Sequence, residues 1–191
     1  MSEKKNVLAI SGSTKEYSTN RNLIHAFAEM AMDFFDVTIF AGLMDIPQFN
    51  PDNDNENAGD QVAGLRRQLR EADGVLICTP EYAMGVPGTL KNAIDWTVSS
   101  AEFYHKPTAL ITASSSGEKG HASLLETLKV IDANITDETQ LLISHAKLKV
   151  SNEYNITDAK TLTDVESLIQ AFARIMRTDT NPDKSLSGIR L

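Results

Sequence analysis

Between Asn6 and Leu23 the chain reads NVLAISGSTKEYSTNRNL, an apolar run leading into a segment crowded with small hydroxyl residues and then into a helical pattern. Ser11, Ser13 and Ser18 supply hydroxyls here, and Lys15 and Arg21 add positive charge. Leu23, Ile24, Phe27 and Met30 fall at helical spacing, which starts a helix near Asn20 with Asn20, Ser18 or Thr19 as its cap. At such a start the unpaired N–H groups and the positive end of the helix dipole favour an anion, and nearby hydroxyls donate to phosphate oxygens. The chemistry this suits is the binding of a phosphate monoester. Ser, Thr and Asn also cap and turn ordinary strand-to-helix connections, so the segment by itself leaves both readings open.

A second loop, TPEYAMGVPGTLKNAIDW from Thr79 to Trp96, is more specific. Pro80 and Pro87 fix local φ, while Gly85 and Gly88 permit tight backbone geometry, so the loop can present its own N–H and C=O groups to a planar ligand. Ile94 and Trp96 read as core. A third polar loop, Ser114 to Gly120, follows another apolar run and is placed to close over the same ligand edge.

These loops need a frame that brings them together. Apolar runs alternate with helical patterns along the chain, the sequence form of an α/β fold with a mainly parallel sheet. The patterns predict strands over residues 7–10, 37–40, 74–79, 108–113 and 140–144. They predict helices over 20–35, 60–72, 89–98, 123–133 and 163–176. Five strands and five helices make one doubly wound domain over residues 1–177, followed by a polar tail, 178–191, that contains Pro182. In such folds a ligand sits beyond the carboxyl ends of the strands, where strand order reverses.

Composition narrows the function classes. The chain has 191 residues, 41% of them hydrophobic, and a formal net charge of -8 from 26 acidic and 18 basic side chains. That balance argues against a broad nucleic-acid or anionic-membrane surface. No stretch is long and apolar enough to span a bilayer, and the first residues lack a signal-peptide pattern, so a cytoplasmic location is expected. The single cysteine, Cys78 in GVLICTP, reads as a buried strand residue rather than a nucleophile. His25, His105, His121 and His145 are widely separated, with no paired ligand spacing, so no metal site is expected, and most read as surface or helix-face residues. The acidic loop from Asp52 to Asn57 lacks the glycine and closing glutamate of a calcium loop and reads as a solvated connection. Ser114 to Ser116 lack the setting of a nucleophile elbow, which disfavours a hydrolase.

Gly12-Ser13 with Lys15, Ser18 and Asn20, Pro80-Glu81-Tyr82, and Pro87-Gly88-x-Leu90-Lys91-Asn92-Ala93-Ile94-Asp95-Trp96 together resemble the NADPH-dependent FMN reductase family. That resemblance covers roughly the whole chain in element order. It implies a flavodoxin-like, doubly wound, five-stranded parallel sheet in three α/β/α layers, and an activity of the quinone, chromate or azo-dye reductase kind. It further implies that Ser11, Ser13, Lys15, Ser18 and Asn20, with the Thr19 backbone, hold the FMN phosphate. Pro80, Glu81, Tyr82 and Ala83 would border the isoalloxazine ring and ribityl chain, and Ser114, Ser115 and Gly117 would approach the pyrimidine side.

No side chain is assigned as a catalytic acid or base, because the flavin carries the chemistry. NADPH or NADH would donate electrons in a ping-pong cycle, and a quinone, azo compound, metal oxyanion or free flavin would accept them. The resemblance also implies a homodimer or homotetramer. Two departures from the family pattern stand out. Lys15 replaces the usual Arg, giving a point charge in place of a bidentate fork. Ala83 and Gly85 replace the usual Asn and Ser, removing a polar side chain near the flavin. The competing reading is a flavodoxin-type electron carrier, for which shorter loops would be expected; a third is a domain that keeps the fold without flavin.

Overall fold

Val7 and Ala9 point into one buried cluster and Leu8 and Ile10 into another, because the strand that carries them is covered on both faces. This strand, β1 (Lys5–Ser11), lies inside a five-stranded sheet with β2 (Phe35–Ile39), β3 (Gly74–Thr79), β4 (Thr108–Ala113) and β5 (Gln140–Ile143). The order is β2-β1-β3-β4-β5 and every pairing is parallel. The structure is a computed structural model and describes residues 4–15, 17–55 and 58–178. The tail expected from 178 onward therefore lies outside the described residues from 179, as do Glu56 and Asn57 of the acidic loop.

Five helices cover the sheet. On one face Leu23, Ile24 and Phe27 of α1 (Thr19–Met30) and Val165, Ile169 and Phe172 of α5 (Ala159–Thr178) pack on Val7, Ala9, Leu76, Cys78 and Ile111. On the other face Val62, Leu65 and Leu69 of α2 (Asp60–Glu71), Leu90 and Ile94 of α3 (Gly88–Asp95) and Leu124 and Leu128 of α4 (Glu118–Val130) pack on Leu8, Ile10, Val75, Ile77 and Leu110. The result is the doubly wound arrangement expected from the residues, in the flavodoxin-like α/β/α layering that the resemblance implies. The chain leaves β1 toward β2 on one side and returns to β3 on the other, so the switch point falls between β1 and β3.

Several boundaries differ from the sequence expectation. α1 stops at Met30 rather than continuing to residue 35. Phe34 and Phe35 continue the helical spacing, yet Phe35 pairs with Lys5 in the sheet and packs against Phe27 at 6.2 Å between ring centroids. α3 ends at Asp95, and Trp96 is buried as expected, its indole N–H donating to the Pro47 carbonyl at 2.8 Å. α4 begins at Glu118, five residues before the predicted start, and α5 begins at Ala159, where Asp158 accepts from the Thr161 N–H at 2.9 Å. The acidic loop is not wholly a solvated connection either. Asp54 pairs with Arg66, which also donates to the Trp96 carbonyl. Although burial raises the Asp54 pKa, hydrogen bonds from Ser99 and Arg66 and the Arg66 charge outweigh it and hold the carboxyl below its ordinary value.

Candidate active site

A cleft of about 660 Å³ opens at the carboxyl ends of β1, β3, β4 and β5. Its first wall is the segment after β1. Ser18 sits in extended backbone ahead of α1 and its hydroxyl accepts from the Asn20 N–H at 3.2 Å, so the cap among the three candidates is Ser18. Ser13, Lys15, Ser18, Thr19 and Asn20 all line the cleft, as does the exposed Tyr17. The Ser13 hydroxyl accepts weakly from the Lys15 N–H at 3.4 Å. Ser11 lies outside the lining, its hydroxyl donating to the Ser13 carbonyl at 3.3 Å.

Asn20, which lines the cleft, also braces the sheet. Its amide donates to the Ala113 carbonyl at 3.1 Å and accepts from the Cys78 thiol at 3.3 Å, tying the start of α1 to the ends of β4 and β3. Burial pushes the Cys78 thiol far up, so it stays protonated and serves as a donor to Asn20 rather than as a thiolate.

The second wall follows β3. Pro80, Glu81 and Tyr82 line the cleft. The Glu81 side chain accepts from the Gly120 N–H at 2.7 Å, which satisfies one of the orphan donors in the first turn of α4. Tyr82 and Gly85 exchange N–H and C=O bonds, each at 2.9 Å, and close a tight turn over Ala83 and Met84. Both of these residues have positive φ, 49° and 64°, the sign pattern of a type I′ hairpin turn. Ala83 itself lies outside the lining.

This turn changes the meaning of the departure at position 83. The Asn that the family usually carries there suits the left-handed region, whereas an alanine in that region costs roughly 1–2 kcal/mol. Ala83 is exposed and has no packing to lose. Ala83→Asn is therefore expected to stabilise the protein by about 0.5–1 kcal/mol, read as a shift of the urea midpoint without a change in slope.

The third wall follows β4. Ser114 and Ser115 line the cleft, while Gly117 turns the chain into α4 with φ 101° and lies behind it. The positive φ favours glycine there, and a Cβ on Gly117 would stand 2.7 Å from Leu142 Cδ1 and displace that side chain. His121, one turn into α4, bonds the Thr112 hydroxyl at 2.9 Å and the Gln140 side-chain oxygen at 3.0 Å. Burial lowers its pKa despite the Gln140 bond, which fits a neutral ring that bridges α4 to the sheet.

A fourth wall, from the loop after β5, was not anticipated. His145, Ala146, Lys147 and Leu148 line the cleft. The N–H groups of His145 and Ala146 donate to the carbonyls of Ser115 and Ser114 at 3.1 and 3.0 Å, stitching this loop to the third wall. No motif marks these residues. The signal available was positional: they follow a strand of the same parallel sheet, and ligand sites lie beyond such strand ends. No group of three His, Cys, Asp or Glu side chains that could hold a metal occurs among the described residues.

The donors fit an FMN phosphate. The capped N-terminus of α1, Ser13 and Lys15 all line the cleft, and the loops after β3, β4 and β5 line the remainder. Comparison with known proteins bears on the cofactor and the family. The quinone reductase of Escherichia coli K12 is 32% identical over 185 residues, covering 93% of this chain and 98% of its own. A subunit of the NADH-dependent flavin reductase of Lactobacillus johnsonii is 28% identical, covering 89% and 96%. Among solved structures, the flavoenzyme NAD(P)H:acceptor oxidoreductase FerB of Paracoccus denitrificans aligns with a TM-score of 0.80 at 25% identity, over 91% of this chain and 98% of that one. The profile of NADPH-dependent FMN reductases matches residues 5–147. The chain belongs to the NADPH-dependent FMN reductase family and is an oxidoreductase that works with FMN and a nicotinamide nucleotide.

Proposed function

We propose that residues 1–177 act as one FMN-binding unit that passes electrons from NADH or NADPH to a small acceptor, a quinone, azo compound, metal oxyanion or free flavin. The observation that carries this reading is the meeting of the loops after β1, β3 and β4 on one cleft headed by the N-terminus of α1. Bound there, FMN supplies two-electron transfer between nicotinamide and acceptor. The protein supplies binding and orientation. Ser13, Lys15, Ser18 and the Thr19 N–H hold the phosphate with the help of the helix dipole. Pro80, Glu81 and the Tyr82 turn support one side of the ring system through main-chain atoms, with the Glu81 carboxylate directed to Gly120. The backbone of Ser114 and Ser115 flanks the other side and offers dipoles where negative charge develops. Ser11, Asn20 and Gly117 act one step back, by shaping the loops that make these contacts.

Nucleotide and acceptor take turns in the same cleft, which makes the kinetics ping-pong. Tyr17, Tyr82 and Leu148 are exposed at its rim, and Met84 stands exposed at the tip of the Tyr82 turn. A second copy of the chain covering these side chains would complete the site, in a homodimer or homotetramer. The expected compartment is the cytoplasm; no helix among the described residues is long and apolar enough to cross a membrane. The purified protein should be yellow, or become so with added FMN, and anaerobic NADH or NADPH should bleach its flavin band. Protein that stays colourless with FMN would overturn the reading. A bound flavin bleached by neither nucleotide would leave the electron-carrier reading in its place.

A further inference from the structure

The chain as a whole is acidic, yet among the described residues two of the three charged side chains lining its cleft are lysines. Lys15, Lys147 and His145 face it, and the carboxylate in the lining, Glu81, is already engaged with the Gly120 N–H at 2.7 Å. Lys15 comes from the segment at the N-terminus of α1, where the phosphate group of the cofactor is expected. Lys147 comes from a different wall, the short turn after β5, and makes no ion pair among the described residues.

That turn is held in place. Ala146 is buried and bonded to the Ser114 carbonyl, and the Leu148 N–H donates to the His145 carbonyl at 2.9 Å. The backbone bearing Lys147 is therefore set before any ligand arrives, and less ordering is needed on binding. The same cleft is lined by the rings of Tyr17 and Tyr82 and by the exposed Leu148, surfaces suited to a flat aromatic body. A net charge of -8 repels anions in general, so a cation that is unpaired among the described residues, within an aromatic-rimmed cleft, discriminates by charge.

We propose that Lys147, carried with His145 on the turn after β5, selects aromatic electron acceptors that bear an anionic substituent. This rests on the flavin-reductase reading above, and the test separates the two. The FMN-loaded protein and its Lys147→Gln and Lys147→Arg variants are assayed with 1,4-naphthoquinone and with 1,4-naphthoquinone-2-sulfonate at low ionic strength. Comparing each acceptor between proteins removes the difference in reactivity that the sulfonate itself introduces. Lys147→Gln should lower kcat/KM for the sulfonate roughly tenfold, chiefly through KM, and leave the neutral quinone within about twofold. Lys147→Arg should retain the preference, and salt should erode it.

Two further measurements locate the effect. FMN affinity should be unchanged in Lys147→Gln, and so should the rate at which saturating NADH or NADPH bleaches the flavin. Equal losses for the two quinones, or no loss for the sulfonate, would overturn the inference while leaving the flavin reading intact. A large fall in FMN affinity would make Lys147 a phosphate ligand instead, and a loss confined to flavin bleaching would make it a nucleotide contact; either overturns acceptor selection. Wild-type protein that binds no FMN would overturn both readings together.

Discussion

An aspartate in place of Ser13 is expected to weaken FMN binding by roughly 100-fold or more. Two like charges about 4 Å apart repel by about 4 kcal/mol at the effective dielectric of a partly exposed protein site, and partial screening still leaves about 3 kcal/mol. The fold itself should tolerate the change. Ser13 is only partly buried, and the bond its hydroxyl accepts from the Lys15 N–H at 3.4 Å is open to a carboxylate as well. Ser13→Asn adds similar bulk without the charge and should retain affinity within about tenfold. Fluorescence titration of FMN into each variant, beside a urea unfolding curve, separates loss of binding from loss of structure. Unchanged affinity in Ser13→Asp would place the phosphate away from this loop.

The parts of this site that were legible in the sequence are those with a local cause. Val7 to Ile10 and the stretch from Gly74 to Thr79 read as strands because burial on both faces demands continuous apolar runs. The loop after β1 could be read because hydroxyls just ahead of a helical pattern have few structural uses, capping and anion binding, and both act at the same helix start. What escaped depends on contacts between distant segments. The start of α4 at Glu118 was hidden by Gly117 and Gly120, which read as loop; the first turn is held by the Glu81 carboxylate, from another strand end. Asn20 looked like a cap or a phosphate contact; the cap is Ser18, and the Asn20 amide also bonds Ala113 and Cys78, a bracing role that only the fold reveals.

The replacement of Asn by Ala at position 83 shows a different limit. In the sequence it signals a lost polar contact near the flavin. In the structure Ala83 stands outside the cleft lining at φ 49°, and the cost of the replacement falls on the backbone of the turn that carries Tyr82. His145 and Lys147 were missed for a third reason: a short polar segment after the edge strand carries no pattern, although the strand-end rule applies to β5 as fully as to β1, β3 and β4.

The largest effect on stability is expected from Gly12→Ala. Gly12 leaves β1 with its N–H donating to the Cys78 carbonyl at 2.8 Å, so its backbone is pinned to β3. A Cβ built there falls on the Thr79 hydroxyl and lies 2.8 Å from Thr79 Cβ and 3.0 Å from Leu90 Cδ2. Neither neighbour has room to yield: both are fully buried, and the Thr79 hydroxyl is tied to the Pro80 carbonyl at 3.1 Å. Overpacking of this kind costs about 2–3 kcal/mol. Relief requires the first loop to move away from Thr79 and Pro80, which widens the cleft between its first two walls, so FMN affinity should fall along with stability. Thr79→Ala removes the hydroxyl that the new methyl meets, at a cost of about 1 kcal/mol for its hydrogen bond. Combined with Gly12→Ala it should recover part of the loss, giving a favourable coupling of about 1 kcal/mol or more in a double-mutant cycle measured by urea unfolding. Strictly additive losses would show that Thr79 is not what excludes a side chain from position 12.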